Sequence, residues 1–328
     1  MIIARAPVRI SIGGGGTDLP FFYPQFGGDL ITGAIDKYIY VTVSQRKFQE
    51  KYRIAYSKTE IVDSVDQIEN DRVREAIKLL DIKPHLEIST VSEVPGKSGL
   101  GSSSSFLIAV LKALHAFQKE EVSNKVLAEE ACKIEIETLK EPIGKQDQYA
   151  SAFGGINHLN ISKNGQIIVS PINISDSIIR GMEENLYLFY TKIQRDASEV
   201  LKDQTERAVS DEEKMNCMKE IKKIGMEIKR CLESGNLRRF GEWMNIHWET
   251  KKKMSTKMTS PKINDWYNLA LKNGALGGKI MGAGGGGFFM FYCEKDGQQF
   301  VRKMEEYGLK YVPFRFDLDG GKTIFNVR

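Results

Sequence analysis

The sequence predicts an α+β protein built as two units, residues 1–185 and 186–328. Three observations carry that prediction. Strand-like and helix-like segments are mixed without strict alternation, and the helices come in groups. The chain has 328 residues, of which 41% are hydrophobic, enough to fill more than one core. Fourteen of its 30 glycines fall in three short stretches, 13–16, 96–101 and 277–287. Dispersed glycine would mean linkers. Clustered beside apolar runs, it marks loops where backbone must come close to something.

Residues 2–12 and 29–45 are rich in Ile, Val, Tyr and Thr and read as strands, as do the alternating runs 52–57 and 84–91. Between the last two, 70–81 opens on Asn70-Asp71 and has helical spacing. Residues 102–119 are apolar on nearly every side (Phe106, Leu107, Ile108, Val110, Leu111, Leu114, Phe117), the pattern of a buried helix. A further helix is expected over 123–140, capped by Ser123 or Asn124. A hairpin over 155–171 should turn at Asn164-Gly165. The second unit opens with a strand at 186–191. Cys217, Ile221, Ile224, Ile228 and Cys231 step by 4, 3, 4 and 3, an apolar stripe that ends at Ser234-Gly235. Leu237, Phe240, Met244, His247 and Trp248 line the next helix, with His247 read as a satisfied core histidine. Ser260-Pro261 starts a third helix, running to Gly274. Strands at 288–293, about 309–315 and 322–327, with a helix at 296–306, close the chain.

Composition excludes several classes. The 47 basic and 43 acidic residues leave a net charge of +4, too mild for a nucleic-acid or membrane-surface partner. Cys132, Cys217, Cys231 and Cys293 are far apart and the four histidines lack metal-site spacing, so neither a zinc site nor a disulfide framework is expected. The N-terminal MIIARAPVR lacks the apolar stretch of a signal peptide. The longest apolar runs, 106–111 and 288–293, are about a third of a membrane span. These features predict a soluble, cytoplasmic protein.

The middle glycine cluster, Pro95 to Ser105, follows a strand and runs into the buried helix. A helix N-terminus offers free N–H groups and partial positive charge; glycines let phosphate oxygens approach, and serines add hydroxyl donors. Gly96-Lys97-Ser98 is not a Walker A motif, because position 91 is Val and the lysine precedes the loop. Two uses remain for the stretch, a phosphate seat or a Ser-rich helix cap. The last cluster holds G-x-G-x-x-G at 282, 284 and 287 but enters a strand, which excludes a dinucleotide fingerprint. Close packing of its backbone against a ligand or another loop is expected. In the first cluster, Asp18 is either a helix N-cap or an acceptor for a polyhydroxylated ligand. Glu135 falls among Ala128, Ala131 and Leu139 on the apolar side of its helix and needs a metal, Arg or Lys partner. Asp147, after that helix stops, is a loop cap or a general base.

The three clusters together resemble the three motifs of the GHMP kinases, the superfamily of galactokinase, homoserine kinase, mevalonate kinase and phosphomevalonate kinase. Ala6-Pro7 through Asp18 is similar to the first motif, Pro95–Ser105 to Pro-x-x-x-Gly-Leu-Gly-Ser-Ser, and Lys279–Gly287 to Lys-x-x-Gly-Ala-Gly-Gly-Gly-Gly. The likeness spans essentially the whole chain. RAPVRISIGGGGTDLPFFY, His247-Trp248-x-x-Lys251 and GGKIMGAGGGGF resemble the anomeric sugar kinases, in particular the heptose 7-phosphate kinase group. Gly16 stands where galactokinases have His, and Met281 where many relatives have Ser or Thr.

The resemblance implies a two-domain fold, ribosomal protein S5 domain 2-like and then ferredoxin-like. It implies ATP and Mg²⁺ as cofactors and transfer of phosphate to the anomeric hydroxyl of a heptose 7-phosphate, in nucleotide-activated heptose biosynthesis. A fucose or other sugar 1-kinase, or a non-catalytic sugar sensor, is the alternative. Pro95, Gly96, Lys97, Ser98, Gly99, Leu100, Gly101, Ser102, Ser103 and Ser104 would hold the ATP phosphates, with Ser103 and Glu135 on Mg²⁺. Asp147 would serve the acceptor hydroxyl, with Arg9 beside it and the transferred phosphoryl. Gly15, Gly16, Thr17, Asp18, Gly284, Gly285 and Arg195 would border the sugar. Arg195, Lys192 and Lys251 are the cationic candidates for a phosphate on the substrate.

Overall fold

The computed structural model describes residues 1–83, 85–194 and 197–327. Their strands form two sheets. The first is assembled around β1 (Ile2–Gly13) and the long β2 (Gly28–Gln45), which run antiparallel from Ile2↔Val43 to Gly13↔Ile31. The pairing shifts register between Pro7 and Val8, so the residue without an N–H falls at an irregularity in the ladder. β3 (Tyr52–Ala55) and β4 (Thr59–Val62) form a hairpin, and β3 lies parallel to β5 (Leu86–Ser92). β2 serves two partners. Its later half pairs with β5 and its earlier half with β6 (Ile156–Ile161), which turns back through Gly165 into β7 (Ile167–Pro171).

The second sheet has four strands: β8 (Leu186–Tyr190), β9 (Ala275–Ile280), β10 (Phe288–Cys293) and β11 (Lys310–Tyr311), in the order β11-β8-β10-β9 and all antiparallel. The final strand, β12 (Lys322–Asn326), belongs to the first sheet, where Asn326 pairs with Ile2. A division of the chain at 185 therefore separates the sheets only up to β12. Its return covers an edge of β1 that would otherwise be left without a partner.

The helices are α1 (Tyr23–Phe26), α2 (Asp71–Leu79), α3 (Ser102–Gln118), α4 (Asn124–Cys132), α5 (Gln146–Phe153), α6 (Asp176–Asn185), α7 (Ala197–Ser210), α8 (Glu212–Glu233), α9 (Leu237–Lys252), α10 (Pro261–Lys272) and α11 (Gly297–Glu306). Asn70 caps α2 through its side chain, which accepts from the Val73 N–H. α3 packs on β1 and β2, and ten of its side chains are buried, as its all-round apolar pattern requires. α4 runs on into a π-helical turn, Lys133–Thr138, that carries Glu135. The stripe read from the sequence of α8 packs Ile224 and Ile228 against Val8, Ile10 and Ile12 of β1.

Four expectations are corrected. Asp147 is not in a loop: it lies in the first turn of α5, an element too short and too polar at its start for periodicity to reveal. Residues 275–280 form β9, so the third glycine cluster begins inside a strand. The strand expected at about 309–315 is only two residues long. The helices α6 and α7 were not anticipated. Among the described residues, no helix is long and apolar enough to cross a membrane.

Candidate active site

β1 delivers Arg9 to the boundary between the two sheets. Its backbone N–H donates to Leu100 O at 2.9 Å, which ties the strand to the second glycine cluster. Its guanidinium donates through Nε to Asp147 Oδ1 at 2.7 Å and through Nη1 to Gly99 O at 2.6 Å. Arg9 is thus buried between a carboxylate and the loop that leads into α3.

That loop does not cap α3 with serine. The N-cap is Gly101, at φ +75°, and no side chain satisfies the first turn. The serines sit inside the helix instead. Ser105 donates to Pro7 O and Gly101 O, and Ser104 donates to Glu135. The cap reading is therefore excluded, and the uncapped N-terminus of a 17-residue helix faces the adjacent cavity with its positive end. Gly101 also admits Asp147: a Cβ there would stand 3.0 Å from Asp147 Oδ2.

Asp18 faces the same space. Its Oδ1 accepts from the Gly16 N–H at 3.1 Å and its Oδ2 from the Gln146 N–H at 3.0 Å, at the start of α5. It therefore joins the first glycine cluster to the helix that carries Asp147. Burial raises its carboxyl above the usual range, against the Gln146 N–H, and the nearby Asp147 raises it further. Gly144 leaves room for this contact, since any Cβ there would collide with the Asp18 carboxylate.

The third cluster closes the space by packing on the second. A Cβ on Gly282 would lie 2.9 Å from Gly99 Cα, and one on Gly287 would lie 2.1 Å from Ser98 O. The expectation of close backbone packing is met by loop against loop. Gly287 has φ +81° as well, so Gly287→Ala should destabilise the protein by about 1–3 kcal/mol and raise the KM for the ATP that the sequence resemblance implies. Urea unfolding and an ATP titration measure the two effects. An alanine variant with unchanged stability and KM would exclude a tight contact between the loops.

The cavity between these loops is open to solvent and measures about 370 Å³. Of the residues expected there from the sequence, Arg9, Gly15, Gly16, Asp18, Lys97, Ser98, Gly99, Gly101, Ser102, Ser103, Asp147 and Gly284 line it. Several others do not. Gly96 has open space around it, Pro95 is off the cavity, and Leu100 is buried in a hydrophobic cluster. Thr17 is held by Gly14 O and Asp29 and serves the turn. Gly285 donates its N–H to Met258 O. Lys192 is exposed elsewhere, and Arg195 lies outside the described residues.

Glu135 departs most from expectation. It is fully buried and does not line the cavity. Oε1 accepts from Arg72 Nε at 2.9 Å, and Oε2 accepts from Ser104 Oγ at 2.7 Å and Gln148 Nε2 at 2.6 Å. The serine brought to Glu135 is Ser104, while Ser103 is exposed at the cavity wall. Among the described residues no group of three or more His, Cys, Asp or Glu side chains is placed to hold a metal. Arg72 does line the cavity, and it also donates to Glu141 at 3.1 Å and Asp71 at 3.3 Å. Sequence reasoning missed it, because the contact joins α2 to a turn 63 residues away.

Two more buried groups belong to α9. Lys251, at the end of α9, lines the cavity and donates to Gly282 O at 2.8 Å. His247 is buried, but neither ring nitrogen has a partner among the described residues, so it is not the satisfied core histidine expected. Burial, with Lys279 and Lys251 nearby, pushes its imidazole well below the usual range and leaves it neutral.

An anion seat opposite an arginine–carboxylate pair, with a second acid beside it, has the chemistry of phosphoryl transfer to a hydroxyl. The comparisons give the class its family. A model for the GHMP kinases N terminal domain matches residues 71–155, and one for the GHMP kinases C terminal domain matches 228–310. Together they cover just over half of the chain. A D-glycero-alpha-D-manno-heptose 7-phosphate kinase from Campylobacter jejuni is 29% identical over 98% of both chains. The L-fucokinase/L-fucose-1-P guanylyltransferase of Bacteroides fragilis is 24% identical over 92% of this chain and 35% of its own. The crystal structure of a D-glycero-D-manno-heptose 1-phosphate kinase from Bacteroides thetaiotaomicron superposes with a TM-score of 0.83 over the whole of both chains, at 26% identity. The chain belongs to the GHMP kinases, with their two-domain fold. It is an ATP-dependent sugar kinase.

Proposed function

We propose that the acceptor is a heptose 7-phosphate, phosphorylated on its anomeric hydroxyl to the 1,7-bisphosphate, an intermediate toward nucleotide-activated heptose. The observation that carries the chemistry is the Arg9–Asp147 pair set against the uncapped start of α3. Similarity along the full length of the Campylobacter heptose 7-phosphate kinase supports the choice of sugar. On this reading the first domain is 1–185 and the second 186–328, with β12 returned to the first sheet.

Each residue then has a task. The N–H groups at the start of α3, with Ser102, Ser103 and Lys97, hold the ATP phosphates. Asp147 accepts the proton of the attacking hydroxyl, and Arg9 fixes the carboxylate's orientation through its Nε bond. Asp18 accepts hydrogen bonds from sugar hydroxyls, and Gly15, Gly16 and Gly284 let the sugar approach the backbone. Magnesium carried by ATP would neutralise charge on the phosphate oxygens, and Ser103, which lines the cavity, would offer it a hydroxyl. Glu135 does not fit that role as it stands, because all its contacts are to Arg72, Ser104 and Gln148.

The two heptose kinases differ in the phosphate their names state, 7-phosphate in one and 1-phosphate in the other. A coupled ADP assay over heptose 7-phosphate, heptose 1-phosphate, free heptose and fucose separates the readings. The heptose 7-phosphate should give the highest kcat/KM by at least tenfold. Equal or better turnover of an unphosphorylated sugar would reject this acceptor.

A further inference from the structure

One buried cation at the cleft has no carboxylate partner among the described residues. Arg9 is matched by Asp147. Lys251 is buried at the cavity wall, and among the described residues its ammonium has one hydrogen-bond acceptor, Gly282 O, and no carboxylate within ion-pair distance. Lys279, on β9, is fully buried, and its Nζ has no partner at all among the described residues. The charged and titratable groups that face Lys251 are Arg9 from β1, Asp18 from the loop after it, Lys279 from β9 and His247 of its own helix. Asp18 is already engaged by two backbone N–H groups, and its carboxyl is held up by burial. Burial, with Lys251 and Arg9 nearby, pushes the Lys279 ammonium well below its usual range, so Lys279 is not a fixed charge. Lys251, at the cavity wall, is the cation without a carboxylate, and an anion arriving there would complete it.

The position of Lys251 indicates which anion. Gly282, whose carbonyl it holds, packs on Gly99, whose carbonyl Arg9 holds. The two cations therefore grip the two glycine loops where they meet, between the phosphate seat and the acids Asp18 and Asp147.

We propose that Lys251 is a second cation on the transferred phosphoryl group, acting beside Arg9 as charge shifts onto its oxygens. The proposal rests on the sugar kinase reading of the cleft. In the step it serves, the acceptor oxygen bonds to the γ-phosphorus, the bond from that phosphorus to the ADP oxygen breaks, and the hydroxyl proton goes to Asp147. Lys251 keeps its proton throughout and contributes charge alone.

Burial, reinforced by Arg9, lowers the Lys251 ammonium to about 8. The group is charged below that pH and neutral above it. In the free enzyme, kcat/KM should therefore fall as pH rises through about 8. A bound phosphoryl anion holds the proton on, so the corresponding fall in kcat should lie at higher pH.

Lys251→Met should lower kcat about 100-fold, the scale of losing one group that stabilises transition-state charge. The KM of the sugar should change little, and the alkaline fall should vanish. Lys251→Arg, charged throughout, should keep measurable turnover without that fall. A methionine variant with kcat within a few-fold of wild type overturns the proposal. So does one that raises only the KM of a phosphorylated sugar, which would assign Lys251 to the substrate's own phosphate. Should the methionine variant not fold, an arginine variant that keeps the wild-type fall near pH 8 overturns it. Absence of any sugar phosphorylation by the wild-type enzyme would instead reject the sugar kinase reading itself.

Discussion

Asp147→Ala should lose about 10³-fold or more in kcat while still folding, at a cost in stability because the buried Arg9 loses its carboxylate partner. The side chain is 25% exposed and its one strong partner is Arg9, so truncation opens no cavity in a core. Arg9 retains its bond to Gly99 O and stays in place. What disappears is the proposed proton acceptor at the cavity wall, and positioned general bases contribute about 10²–10⁴ in rate. The loss should sit near the top of that range, because Arg9 would then face the acceptor hydroxyl with no carboxylate between them. Asp147→Asn keeps the shape and removes the basic oxygen, so it should be nearly as slow. Steady-state turnover and a thermal melt measure the two halves of the prediction. A folded alanine variant with near-normal kcat would take the base away from Asp147 and leave Asp18 as the other acid in the cleft. Gly101→Ala should act on the same carboxylate indirectly: its new Cβ would stand 3.0 Å from Oδ2, in a left-handed conformation that alanine resists.

How far the sequence could be read depended on whether the deciding contact was local. The buried α3, the Asn70 cap and the hairpin at Gly165 are set by neighbours in the chain, and each is found where periodicity or turn chemistry predicts it. Arg9 and Asp18 were legible as candidates because they stand in the first of three motifs whose order matches a family; Asp147 lies outside those motifs, and the helix under it was not legible. The return of β12 to β1 was illegible for a different reason, since a short strand shows its period but not its partner. Arg72 carries no local mark of function: it is one arginine on an amphipathic helix, and only the fold brings it to Glu135. Lys251 was visible as a candidate cation, but its contact with Gly282 depends on how α9 meets the third glycine loop.

Glu135→Ala should cost about 3–5 kcal/mol in stability, the scale for stripping one partner from a buried ion pair. Three donors lose their acceptor at once: the Arg72 guanidinium, the Ser104 hydroxyl and the Gln148 amide. Gln148 is the worst placed, because it is fully buried and its Oε1 already lacks a partner among the described residues. Glu135→Gln keeps an acceptor for these donors and should lose less. The pH dependence gives an independent check. Burial raises the Glu135 carboxyl above its unfolded value, while Arg72, Ser104 and Gln148 pull it down. A carboxyl raised on folding disfavours the folded state as pH climbs from the unfolded value through the folded one. Arg72→Ala removes the strongest pull, so its stability should fall more steeply with rising pH than that of the wild type. Urea unfolding at several pH values reads this directly. The same variants separate anchor from metal ligand. If Glu135 acts by holding Arg72 at the cavity wall, Glu135→Gln and Arg72→Ala should both lower kcat while the Mg²⁺ concentration for half-maximal rate stays as in wild type. A large rise in that concentration for Glu135→Gln alone would mean that the carboxylate leaves Arg72 and binds the metal when ATP arrives.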